Sequence, residues 1–180
     1  MLIAAVTPVR SRRRAILRIG LTETADAAHR GQALLKSGEA AIGGAAQRAA
    51  AVIGAPWIVL RLSGRALVER GQGTLIQVTG GSARRGNPGR GPWAAAAFAT
   101  RALVQAQAAE LREHNVHAAL LIVDAVIESD KTAKWLEDEP PEKSASMEEV
   151  AEAVKYLHRQ TARGWTHELQ LTPSLERWVP

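Results

Sequence analysis

The run Val116–Ile127, VHAALLIVDAVI, constrains this chain more than any other stretch. It is apolar almost throughout, with His117 and Asp124 as its only polar members. A strand that alternates apolar and polar residues can leave one face in water, whereas an unalternated one must be covered on both faces. TLIQVTGG, from Thr74 to Gly81, has the same character and ends on a glycine pair. WTHELQLTP sets Trp165, His167, Leu169 and Leu171 in period two, a third candidate strand.

Helical patterns lie between these runs. From Ala55 the sequence carries Trp57, Leu60, Gly64, Leu67 and Val68 as a stripe closed by glycine. SARRGNPGRGP is a loop by its Gly, Pro and Asn content. After Pro92 a long helix is predicted to about Arg112, with Trp93, Ala97, Val104, Ala108 and Leu111 near one face. ESDKTAKWLEDEPPEKSA reads as a polar loop with at most one helical turn. Ser146 and Glu149 then form a capping box that opens a helix with Val150, Val154 and Leu157 on one side. Helix and strand alternate, so the predicted fold class is α/β, a parallel sheet flanked by helices.

Composition sets further bounds. A chain of 180 residues, 46% hydrophobic, suits one domain with its own core. There is no cysteine, which removes disulfides and thiolate metal sites. No apolar run reaches about 18 residues, so no membrane span is expected. The opening MLIAAVTPVRSRRRAILRIG places its charge after its apolar stretch, the reverse of a secretory signal, and a bacterial cytoplasmic protein is the default. Net charge is +5, unevenly spread: residues 1–54 and 55–110 each carry +5, and 111–180 carry −5. The arginines are scattered and no aromatic residues interleave them, so nucleic acid is disfavoured as a partner. The run Arg10–Arg14 reads as a solvated surface or a disordered end.

Two parts follow. Residues 1–53 are a basic Ala/Arg/Gly-rich segment in which helical periodicity is weak and Gly43-Gly44 interrupts it. Residues 54–180 form the organised α/β domain.

The order RALVERGQGTLIQVTGGSA, then GPWAAAAFATRALVQAQAAEL, then HAALLIVDAVIES resembles the C-terminal half of the short-chain dehydrogenase/reductase family. The resemblance covers about Gly54 to Leu171. It implies a Rossmann-like sheet, NAD or NADP as cofactor, oxidoreductase activity, and a homodimer or higher oligomer formed through the helix 93–112. The family's tyrosine, its general acid/base, falls on Trp93. Its lysine, one helical turn later, falls on Ala97. The catalytic serine falls on Gly80, with Thr79 before it and Ser82 beyond, and the asparagine of the preceding helix falls on Ala51. Thr79, Ser82 and Trp93 are therefore the candidate catalytic positions, as equivalents or neighbours only. In the loop that faces the nicotinamide the resemblance leaves Ile127 and Ser129 as candidate cofactor-binding residues, without the usual Pro-Gly and with Glu128 and Asp130 adding negative charge.

No glycine-rich strand–turn–helix fingerprint precedes Gly54, so the nucleotide-binding part is expected to be incomplete. A truncated front or a shifted reading frame would give such a text, and the upstream DNA would show which. The leading expectation is an oxidoreductase-like protein with its catalytic set replaced. Such a protein would be a pseudoenzyme; the alternatives are a non-catalytic binding or scaffold subunit and a basic nucleic-acid-associated protein. His114 and His117 have a metal-like spacing, but a strand begins there and no third ligand is spaced to join them, so no metal site is expected. The acidic run EDEPPE reads as a solvated loop, and Trp135 and Trp178 as edge packing.

Overall fold

The structure, a computed structural model, describes residues 3–6 and 44–176. Strand β1 (Ile3–Val6) is followed by helix α1 (Gly44–Arg70), β2 (Gly73–Gly80), a 3-10 turn at Gly81–Ala83 and α2 (Gly91–Arg112). Then come β3 (Val116–Val123), β4 (Val126–Ile127), α3 (Ala133–Leu136), a 3-10 turn at Pro141–Lys143 and β5 (Ser144–Ala145). Helix α4 (Met147–Arg159) and β6 (Glu168–Leu171) complete the order. The main sheet runs β1-β2-β3-β6, and β4 pairs with β5 beside it.

Strands β2, β3 and β6 are parallel, as the unalternated runs predict for β2 and β3. Both faces of β3 are covered, so successive residues enter different cores. Ala118, Leu120 and Ile122 pack with Leu75 against Leu60, Leu67, Val104, Ala108 and Leu111 of α1 and α2. Ala119, Leu121 and Val123 join Ile76, Val78 and, from α4, Ala153 and Leu157. Burying each of the leucine, isoleucine and valine side chains among them contributes about 1.5–3 kcal/mol before entropy is counted.

Three local features follow from particular residues. Gly71, at φ 72°, ends α1 with its N–H on the Val68 carbonyl at 2.9 Å, the left-handed closure that glycine permits. Asn115, at φ 57°, turns α2 into β3 and donates to the Gly71 carbonyl at 3.2 Å. Ser146 Oγ accepts from the Glu149 N–H at 3.1 Å and caps α4, as the box predicts.

Other expectations need correction. The front strand β1 joins β2 antiparallel, with Val6 opposite Thr74 and Ile3 opposite Gln77, so the sheet is mixed at that edge. Helix α1 starts at Gly44, ahead of the stripe that begins at Ala55. It also runs through Pro56, which is fully buried, so apolar packing overrides the helix-breaking tendency of proline here. On α2, Ala97, Val104, Ala108 and Leu111 are buried, whereas Trp93 is 56% exposed and leaves the apolar face. Trp135 is 71% exposed rather than packed at an edge, and Trp178 lies outside the described residues. Among the described residues no helix is long and apolar enough to cross a membrane.

Candidate functional site

In an open parallel sheet, ligands sit beyond the carboxyl ends of the strands, where loops and helix N-termini converge. Here those ends are Gly80, Val123 and Leu171. The residue after β3, Asp124, is buried, and its N–H donates to the Leu171 carbonyl at 2.8 Å. Its carboxylate receives both arms of the Arg85 guanidinium, with Nη2 to Oδ1 at 2.9 Å and Nη1 on Oδ2. The hydrogen bond to Asp124 raises Arg85 above its ordinary basicity against the opposing effect of burial, and the charges of Asp124 and Glu176 add to it.

Gly81 makes this geometry possible. A Cβ built there would stand 1.8 Å from Asp124 Oδ1, so only glycine lets the turn lie over the carboxylate. The turn Gly81–Ala83 in turn packs against α2. The end of β2, the turn and the start of α2 therefore share one edge of the sheet.

The sequence-predicted residues distribute as follows. Thr79, half-buried, closes β2 opposite Ile122, and Gly80, at the serine position, lies opposite Val123. Ser82 is half-buried in the turn, and Ala51 lies in α1. Trp93 stands exposed in the first turn of α2, and Ala97, a turn later, is buried. Threonine, serine and indole offer hydrogen bonds, but none titrates near neutral pH. The nearby carboxylate, Asp124, is engaged by Arg85 and poorly placed to act as a free base.

Ile127 and Ser129 are drawn into a turn of their own. Thr132 Oγ1 donates to the Ile127 carbonyl at 2.7 Å, and its hydroxyl lies 2.9 Å from Ser129 Oγ. Glu128 accepts from Ser144 Oγ at 2.6 Å, and its N–H donates to the Ala145 carbonyl at 3.0 Å. The polar groups of this loop thus bond to one another. Alanine at position 97 offers no ammonium to a ribose, and the described residues ahead of β2 are α1 and β1 rather than a strand, glycine-rich turn and helix. No group of three His, Cys, Asp or Glu among the described residues suits a metal ion.

Sequence reasoning missed the Arg85–Asp124 pair, and also a second one. Arg101 on α2 holds Glu168 of β6 with Nε to Oε1 at 2.6 Å and Nη2 to Oε2 at 2.8 Å, joined by Gln105 Nε2 at 3.2 Å. The available signal was an acid placed directly after the buried strand β3, or at the start of β6.

No family model matches this sequence, and no curated protein matches it. Solved structures do. A short-chain dehydrogenase from Rhodopseudomonas palustris is 27% identical, with a TM-score of 0.57 over 74% of this chain and 54% of its own. A putative oxidoreductase from Escherichia coli reaches a TM-score of 0.61 at 18% identity over 79% of this chain and 60% of that one. A gluconate 5-dehydrogenase from Burkholderia cenocepacia, solved with NADP and tartrate, gives 0.57 at 19% identity, covering 72% and 55%. The chain thus spans between 54% and 60% of the length of these similar structures. With its helix-flanked parallel strands and this set of likenesses, the chain has a fold similar to that of the short-chain dehydrogenases/reductases.

Proposed function

We propose that this chain is a short-chain dehydrogenase/reductase-fold subunit that has lost the family's proton-transfer chemistry and serves as a non-catalytic binding or scaffold subunit. One observation carries the reading: the two successive turns of α2 that would hold a phenol and an ammonium hold an exposed indole, Trp93, and a buried methyl, Ala97. Indole has a single N–H donor and does not titrate near neutrality, and alanine supplies no charge. A positioned general acid/base is worth about 10²–10⁴ in rate, so hydride transfer coupled to such a proton step is strongly impaired.

NAD or NADP is the ligand class that the relationship suggests, and the cytoplasm is where this reading places the chain. Its partner is a second copy, docked along α2. The exposed residues Ala95, Phe98, Ala102 and Ala106 follow one face of that helix, and Leu62 on α1 is exposed as well. Small residues beside one aromatic let a helix pair approach closely.

Titration of the full chain with NADH and NADPH, followed by ligand fluorescence, tests the binding side. Weak or absent saturation supports a scaffold role, whereas saturation with either dinucleotide supports a binding subunit. Sedimentation tests the partner. A dimer that Phe98→Glu converts to monomer supports docking along α2, and a monomeric wild type overturns it.

A further inference from the structure

Three histidines converge at the end of the sheet opposite Asp124. His117 enters β3, His158 lies in the last turn of α4, and His167 immediately precedes β6. The His117 ring is buried and stacks flat on Trp165, with centroids 5.1 Å apart and planes 2° apart. Its Nε2 donates to the Thr166 carbonyl at 2.9 Å, which fixes the proton of the neutral ring on that nitrogen. Nδ1 is left buried without a hydrogen-bond partner, and so is Nε2 of His167. His167 Nδ1 approaches the Ala118 carbonyl at 3.4 Å, and His158 Nδ1 meets Thr74 Oγ1 of β2 at 3.1 Å.

Residues 165–167 are thereby fastened to the sheet. Gln160 reinforces the fastening, accepting from the Thr166 N–H at 2.8 Å and donating to its hydroxyl at 2.7 Å. The strand that follows is only four residues long and pairs on one side, with β3. An edge strand of that length depends on the contacts that lead into it.

Cationic side chains lie near the rings. Arg112 of α2 lines the small cavity beside His117 and His167, and Arg159 follows His158 on α4. Glu168, the carboxylate that faces His167, is held by Arg101. Burial pushes His117 below the ordinary imidazole range and His167 adds to this, against the carbonyls of Thr166 and Leu157. Burial, then Arg159 and His117, push His158 the same way.

We propose that His117, His158 and His167 form a pH-sensitive latch on β6. When the rings are neutral they hold residues 165–167 and the edge strand in place. When His117 and His158 take up protons, the stack on Trp165 and the contact with Thr74 of β2 give way, and the segment opens locally. Because folded His117 and His158 bind protons less readily than unfolded imidazoles do, the stabilisation is complete above the ordinary imidazole value and is lost as pH falls from there towards the folded value. Nothing in this latch depends on the dinucleotide or on the proposed loss of chemistry.

Hydrogen exchange read by mass spectrometry on the full chain, corrected for intrinsic rates, tests the latch. Between about pH 7.5 and pH 5.5, protection of residues 165–171 is expected to fall about tenfold while β2 and β3 stay protected. His117→Gln keeps an N–H donor for the Thr166 carbonyl and cannot titrate, so its fall is expected to stay within about threefold. His158→Gln is expected to give an intermediate fall. Should His117→Gln not fold, the wild-type His117 Cε1–H resonance decides, with a midpoint below that of free imidazole expected. A fall spread evenly over all strands, an undiminished fall in His117→Gln, or His117 titrating like free imidazole or above would overturn the proposal.

Discussion

Gly81 and Asp124 show how much one atom matters at the candidate site. Adding a methyl at Gly81 sets it 1.8 Å from a carboxylate oxygen that is itself held by a guanidinium, so neither partner can move cheaply. Gly81→Ala is expected to cost about 2–4 kcal/mol in urea unfolding. Removing Asp124 leaves Arg85 without its anion. Asp124→Ala is expected to cost about 2 kcal/mol, less than for a fully buried pair because the Arg85 side chain is 17% exposed. Little of this was legible beforehand, because the partners lie 39 residues apart and the arginine sits in a glycine-rich loop without periodicity. Trp93 and Ala97 were legible as positions, because helical spacing places them a turn apart whatever the fold does elsewhere.

Between elements, close approach and ion pairing set the geometry. Helix α1 crosses α2 at Gly64, where a Cβ would lie 2.9 Å from Gln107 Nε2 and 3.3 Å from a Leu111 methyl. Gly64→Ala gains helix propensity of about 1 kcal/mol but forces both neighbours back, so a net loss of about 1 kcal/mol in thermal unfolding is expected. The Arg101–Glu168 pair ties α2 to β6. Burial pushes Glu168 up, but hydrogen bonds from Arg101 and Gln105 and the charges of Arg101 and His167 outweigh it and hold the carboxyl below its ordinary value. A depressed carboxylate stabilises the fold above its unfolded value and loses that contribution as pH falls through the folded one. Glu168→Gln is therefore expected to flatten acid unfolding below about pH 4.5, by about 1–2 kcal/mol. The glycine in the α1 stripe was visible in the sequence as a small residue among leucines. The pair was not, because Glu168 reads there as one polar residue of a period-two strand.

At the scale of the molecule, the strand–helix alternation from Ala55 onward was readable because both faces of β2 and β3 must be covered, and their burial follows the apolar runs closely. The antiparallel β1 and the helical turns before Ala55 were not readable. Alanine and glycine dominate there, and their place is decided by contacts far along the chain rather than by local pattern. What results is an architecture like that of the short-chain dehydrogenases, and the proposed function rests on Trp93 and Ala97 standing where their proton-moving groups would be. The most direct test is the rate of NADH or NADPH consumption by the purified full chain across a panel of ketones and aldehydes. The account predicts turnover of about 10⁻² per second or slower, indistinguishable between wild type and Trp93→Ala. Turnover at about 1 per second or faster, lost on Trp93→Ala, would contradict it.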